Sequence, residues 1–316
     1  VPYGLLRHQL PMLLTGARVV GHTVLDAITQ ASRPGNRGDE GTGGGGGGGV
    51  VGGSGVDGAG LAVVGRVAPV VRMVAAPSDD LVAAYVRWAG AAGYDCELPP
   101  HMVSQWSLPL VGELLLRMPY KLTSVINQGV TLRIHGPLPR HTPLRVNAAV
   151  EQIEETPGRV KVVVAVVTGT ARQPALVETR LHMSFLLPGP RAAKTVPLQA
   201  EEPAWLIAGQ WHADVRDGLR FALLTGDFNP IHWCGPLARR SVFRGLVLHG
   251  FGSFVRSYEI LRQHGVDFQE IDVRFIKPVP LPCPALSVHI APPGSDGSRP
   301  VRLVGGATVH LAGNLR

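Results

Sequence analysis

Apolar and polar positions alternate with a period of two in four runs of the first half: GVTLRI from Gly129, LRVNAAVEQI from Leu144, RVKVVVAVV from Arg159 and LVETRLHMSFLL from Leu176. That period predicts strands with one buried face. SDDLVAAYVRWAGAAG from Ser78 instead spaces its apolar residues helically behind good helix-start residues, Ser78, Asp79 and Asp80, and LPLVGELLLRM from Leu108 reads as a buried helix. LAVVGRVAPVVRMVAA, before the first helix, is strand-like. The order repeats further on. WHADV from Trp211 is a short strand, RDGLRFALLTG from Arg216 a helix and LHGFGSFVRSYEILRQHG from Leu248 a second helix, followed by strands in EIDVRFI from Glu270, ALSVHIA from Ala285 and RPVRLVGGATVHL from Arg299.

The repetition has a register. VTLRIHGPLP from Val130 lies against DVRFIKPVPLP from Asp272, pairing Arg133 with Arg274, Pro137 with Pro278 and Pro139 with Pro280, all 141 residues apart; Val160 meets Val301 at the same spacing. One spacing joining two separated strands predicts a duplicated unit. Helix-then-strands order without βαβ alternation predicts an α+β fold, one long helix wrapped by an antiparallel sheet, present twice. Two such units can join edge to edge and cover strand edges that would otherwise be sticky.

Two stretches interrupt the pattern. Residues 34–60 are dominated by glycine and can bury no core, so residues 1–60 are expected to be an N-terminal helix, PYGLLRHQLPMLL, followed by a flexible insertion. The G-x-G-x-x-G matches inside it have no strand before and no helix after, and carry no dinucleotide reading. Pro-rich residues from Pro188 predict a linker, giving an N-terminal unit at 61–190, a linker at 191–208 and a C-terminal unit at 209–316.

Composition narrows the function. Hydrophobic residues make up 45% of the chain and charged residues 17%, enough for a sizeable core. The formal charge of +7 favours acidic partners, but the basic residues show no block interleaved with aromatics, so nucleic acid is not expected. No apolar run reaches the roughly 18 residues of a membrane span. Cys96, Cys234 and Cys283 lie far apart without a C-x-x-C pair. No metal, cofactor or disulfide is therefore expected, and a reducing compartment, cytoplasm or mitochondrial matrix rather than a secretory route, fits best. The start of the chain, with Arg7 and Arg18 and no acid in its first 25 residues, reads as a packed helix in preference to a transit-peptide remnant, and the initial Val leaves the native start open.

The sharpest chemical signal is FALLTGDFNPIH, Phe221 to His232, followed by LVLHGFGSF, Leu246 to Phe254. A carboxylate and an imidazole five residues apart on a loop punctuated by Gly226 and Pro230 can face one water without a metal. Against this, Gly-Asp and Asn-Pro are also common turn pairs.

The stretch resembles the MaoC-like dehydratases, a family that includes the (R)-specific enoyl-CoA hydratases, through Thr225, Gly226, Asp227, Asn229, Pro230, Ile231 and His232, then His249 and Gly250. It departs from the family at Cys234, where Asp is frequent, and in Arg244-Gly245-Leu246. The resemblance implies a double hot dog, two helix-wrapped antiparallel sheets joined into one continuous sheet. It implies reversible hydration of trans-2-enoyl thioesters, with CoA or acyl carrier protein as thioester partner, in a homodimer or a larger assembly. Asp227 and His232 would activate the water, Asn229 would fix the loop or orient the water, and the Gly250 amide would receive the thioester carbonyl. Thr225, Gly226, Phe228 and Phe251 are the candidates for lining the substrate, with Phe251 equally readable as core. His249 reads as mainly structural and Cys234 as a small buried residue.

In the first half YVRWAGAAGYDCELPPH occupies the corresponding place, with Ala91 where Asp227 stands, so one active site per chain is expected and the first half would wall the acyl tunnel. Two other functions stay open: a non-catalytic acyl-binding or scaffold subunit, and a thioesterase, whose helix carboxylate could only be Glu113 or Glu259, neither with an evident partner.

Overall fold

The computed structural model describes residues 3–9, 67–189 and 202–316. The glycine-rich insertion and most of the linker lie outside the described residues. Tyr3–Gln9 forms a 3-10 turn with Leu5 buried, and the Gln9 side chain donates to the Leu223 carbonyl at 2.8 Å.

The first half comprises β1 (Val70–Val74), α1 (Asp79–Ala89), the short β2 (Glu97–Leu98), α2 (Ser104–Leu116), β3 (Val125–Ile134), the short β4 (Leu138–Pro139), β5 (Leu144–Thr156), β6 (Arg159–Gly169) and β7 (Val177–Leu186). The second comprises β8 (Leu206–Ala213), α3 (Asp217–Thr225), α4 (Gly235–Arg240), α5 (Gly250–Gln263), β9 (Glu270–Phe275), β10 (Cys283–Ile290), β11 (Arg299–Gly305) and β12 (Thr308–Leu315). β8 starts at Leu206, inside the stretch expected to be linker, because its residues pair with β10 as far as Leu206↔Ile290.

Ten strands make one sheet in the order β1-β5-β6-β7-β3-β9-β12-β11-β10-β8, every pair antiparallel. Five come from each half, and the halves meet at β3 and β9. The alternation read from the sequence is the packing: Val160, Val162, Val164 and Val166 of β6 are buried while their neighbours are not. Each such valine contributes about 1.5–3 kcal/mol relative to an exposed one. The helices α2 and α5 each present their buried residues to the sheet, α2 against β5 and β1, α5 against β3, β8 and β10.

The junction explains the 141-residue repeat. Thr131 pairs with Asp272, with Val130↔Val273 and Leu132↔Ile271 on either side. Residues 131 and 272 are themselves 141 apart, so the pair consists of two equivalent positions. A local two-fold axis relating the halves must therefore pass between them. The Thr131 hydroxyl donates to Asp272 across that axis.

A buried polar network also ties the halves together. Glu259 of α5 accepts from His101, just before α2, and from the Tyr94 hydroxyl at 2.8 Å. Glu259 is thus not without a partner, as the sequence suggested; its partner lies 158 residues away. The Tyr85 hydroxyl donates to the His101 carbonyl at 2.9 Å, and His101 and Glu259 are both buried. Replacing Glu259 by Ala leaves His101 buried without its partner and is expected to cost about 3–5 kcal/mol in denaturant unfolding, whereas Glu259→Gln, which retains a hydrogen-bonding side chain, should cost clearly less. Equal losses would contradict this assignment.

Candidate active site

The loop after α3 is built by its sequence. Gly226 ends the helix with φ +85°, a left-handed conformation that glycine adopts without strain, and its N–H bonds to the Ala222 carbonyl. The Thr225 hydroxyl is fully buried and donates to the Phe221 carbonyl at 2.9 Å, so Thr225 shapes the loop from within instead of facing a substrate. The Asp227 carboxylate accepts from the Asn229 N–H at 3.3 Å, and Asn229 caps the 3-10 turn Pro230–His232 by accepting from the Ile231 N–H at 3.3 Å. Proline at the first position of that turn fits, since its missing N–H would be unused there. Asn229 is thereby a loop-fixing residue. Phe228 is half-buried, and its carbonyl accepts from the Trp233 indole at 3.1 Å.

This turn carries His232 inward, where it is buried, while the Asp227 side chain remains 43% exposed. His232 Nδ1 lies 2.8 Å from the Val247 carbonyl. A carbonyl only accepts, so Nδ1 carries the proton and Nε2 of the neutral ring holds a free lone pair. His249 Nε2 lies 2.9 Å from the Asp227 carbonyl oxygen, which by the same reasoning makes Nε2 the donor; His249 Nδ1 is buried without a partner. The two imidazoles stack with centroids 3.6 Å apart. A nitrogen from each ring and a carboxylate oxygen of Asp227 lie within 4.8 Å of one another. Two hydrogen bonds of ~2.8 Å meeting at one water span roughly that distance.

Burial pushes both imidazoles toward the neutral form. His232 is lowered below its ordinary value by desolvation, partly offset by the nearby Asp227 charge. His249 is lowered to about 3, by desolvation first and then by His232. A histidine whose folded pKa is depressed binds its proton more readily when unfolded. Its contribution is complete above the unfolded pKa near 6.5 and is lost as pH falls toward 3. Stability is therefore expected to decline across that window, by up to about 1.4 kcal/mol per pH unit per histidine. His249→Asn should flatten the slope in thermal melts at stepped pH; an unchanged slope would contradict the assignment.

Asp227, His232 and His249 are also the residue types that hold metal ions.

Gly250 opens α5 directly after His249. Packing by itself requires glycine there: a Cβ would lie 2.6 Å from the Phe275 ring. Phe251 is buried against Phe254 and belongs to the core. Cys234 is half-buried at the start of α4 and is not a core residue. One residue escaped the sequence reading. Gly218 of α3 lies under the turn that bears His232, and a Cβ there would sit 1.8 Å from the His232 carbonyl oxygen. The first half holds His101 in a Pro-led 3-10 turn like that of His232, but its carboxylate partner is Glu259 of the other half.

Fold and site together define a hot-dog protein of the α+β class with an Asp-His pair beside the start of its second central helix. Residues 192–287 match the family model described as the MaoC like domain, so the second half of this chain carries a MaoC-like domain. Three solved structures share the fold. HtdX of Mycobacterium tuberculosis aligns at 20% identity with TM-score 0.64, over 79% of this chain and 99% of its own. A MaoC-like dehydratase from Phytophthora capsici aligns at 15% and 0.63, over 81% and 98%. Full-length peroxisomal multifunctional enzyme type 2 from Drosophila melanogaster aligns at 21% and 0.58, over 81% of this chain and 51% of that one. Comparison with curated protein sequences found no match. Among the described residues no helix is long and apolar enough to cross a membrane.

Proposed function

We propose that this protein adds water reversibly to the trans-2 double bond of a fatty acyl thioester, acting on CoA or acyl-carrier-protein substrates. The observation that carries the reading is the closeness of the Asp227 carboxylate to the buried His232 ring, a separation that two hydrogen bonds to one water could bridge. In hydration, that water gives a proton to the Asp227–His232 pair as its oxygen bonds to C3. The electron pair of the double bond moves toward the thioester carbonyl, whose oxygen gains enolate charge. The Gly250 N–H, at the positive end of α5, is the donor available to it. The enolate then collapses as C2 takes the proton held by the pair, so one O–H bond and the π bond between C2 and C3 break while one C–O and one C–H bond form. Dehydration runs the same steps backwards. His249 holds Asp227 from below through its carbonyl and stays uncharged, which keeps repulsion away from a protonated His232.

The match over residues 192–287 supports this chemistry, and the (R) configuration of the 3-hydroxyacyl product is proposed with it. The thioesterase alternative is weakened by the engagement of Glu259 with His101 and Tyr94. The test is incubation with crotonyl-CoA and a long-chain enoyl-CoA, followed by loss of enoyl absorbance and chiral analysis of the product. Formation of the (R)-3-hydroxyacyl thioester is the expected result. An (S) product would overturn the stereochemical proposal, and no turnover would leave the non-catalytic acyl-binding reading.

A further inference from the structure

A cavity of about 570 Å³ lies where the first half meets the last turns of α5. Its place follows from the duplication. Glu97 of β2 pairs with Pro139, Val247 bridges to Pro280, and 280 − 139 is again 141. Glu97, on the cavity wall, therefore stands where Val247 stands beside His232. Ile134, also on the wall, is by the same spacing the counterpart of Phe275, which lies against Gly250. The cavity thus occupies, in the first half, the place that the candidate active site has in the second.

Its chemistry is different. Glu259 lines it and is 2% exposed. The Glu259 Oε1 atom accepts from both His101 and the Tyr94 hydroxyl, while Oε2 has no partner among the described residues. A carboxylate oxygen held this deep is costly unless a ligand or solvent brings it a donor. Glu97 is half-buried and, among the described residues, has no cation within 4.0 Å. The basic side chains of the wall are already engaged: Arg262 donates to Asp267 at 3.0 Å, and His135 lies 3.2 Å from Glu178. In a chain of net charge +7, this cavity therefore presents the opposite sign. Tyr94, Tyr258 and Phe268 add aromatic surface to it, and Arg262 already lies over the Phe268 ring, 5.8 Å from its centroid. Leu98 and Leu138 complete an apolar wall.

We propose that this cavity is a second ligand site, which binds an organic cation: a protonated amine on an apolar body. The ammonium group donates to Glu259 Oε2 and to Glu97, and the rings favour its charge and cover the carbon atoms next to it. A few convergent polar groups in a mostly apolar concavity are the usual makeup of a small-molecule site. The same groups disfavour a second thioester, because carboxylates repel the phosphates that such substrates carry. A bare inorganic cation would leave the leucine and aromatic surfaces unmatched.

The test is calorimetric titration of the full chain with hexylamine, hexanol and hexanoate at neutral pH and low salt. The expected result is saturable binding of hexylamine at one site, about tenfold or more tighter than hexanol, with hexanoate weakest. Glu97→Gln should weaken hexylamine about tenfold and leave hexanol unchanged. Ala92→Lys, which adds a competing cation at an exposed position on the rim, should weaken hexylamine likewise without touching a buried group, and decides the matter if Glu97→Gln does not fold. No binding of hexylamine overturns the proposal. So does equal affinity for hexylamine and hexanol, which would show that only the apolar body is recognised, and so does preference for hexanoate, which would assign the cavity to an acyl group. Hexylamine binding that both variants leave unchanged overturns it as well, because the amine then sits elsewhere.

Discussion

Hydration of crotonyl-CoA is expected to slow by about 10²–10⁴-fold when Asp227 is replaced by Asn. The substitution keeps an oxygen for the Asn229 N–H, so the loop retains its shape, and removes only the charge that attracts the water's proton. Because that interaction strengthens as the proton moves, kcat and kcat/KM should fall together with KM little changed. Unfolding by heat should stay near the wild-type midpoint, since the side chain is 43% exposed and replaces no buried contact. Rates within twofold of wild type would remove Asp227 from the chemistry.

The second large effect comes from a residue that touches no substrate. Gly218→Ala places a methyl group 1.8 Å from the His232 carbonyl oxygen and 3.2 Å from Leu281. The first neighbour is backbone and cannot rotate away, so the turn bearing His232 must shift by an ångström or more. A displacement of that size in a catalytic group costs roughly 10²-fold in rate. Overpacking of this kind typically costs about 1–3 kcal/mol in stability. Gly245→Ala is the control, because its Cβ would meet nothing within 4 Å and its backbone is not left-handed. Activity of Gly218→Ala equal to that of the control would show that the turn tolerates the shift.

The contrast between these residues shows what the chain's sequence discloses. Asp227, Asn229 and His232 are local: their spacing, with Gly226 and Pro230 between and around them, describes one loop. The duplication was legible too, because pseudo-symmetry leaves equal spacings, and the Thr131–Asp272 pair at the sheet junction repeats the spacing between Arg133 and Arg274. The role of Gly218 was hidden, since a helix glycine looks like weakness until another segment's carbonyl is found against it. At Gly250 the packing requirement was hidden in the same way, since only the fold brings Phe275 against it. The His101–Glu259 pair was invisible for a similar cause, joining residues far apart in sequence that each look unremarkable among their neighbours. Tautomers followed the same rule. Only the carbonyls of Val247 and Asp227, brought in by the fold, decide which nitrogens of His232 and His249 carry protons.

The central claim is that one water, held between Asp227 and His232, becomes the hydroxyl at C3. Turnover of a trans-2-enoyl thioester in oxygen-18-labelled water, with mass spectrometry of the intact thioester product, tests it most directly. The expected result is one labelled oxygen on C3 of a 3-hydroxyacyl thioester. Label appearing instead in a released carboxylate, with free thiol alongside, would contradict the account.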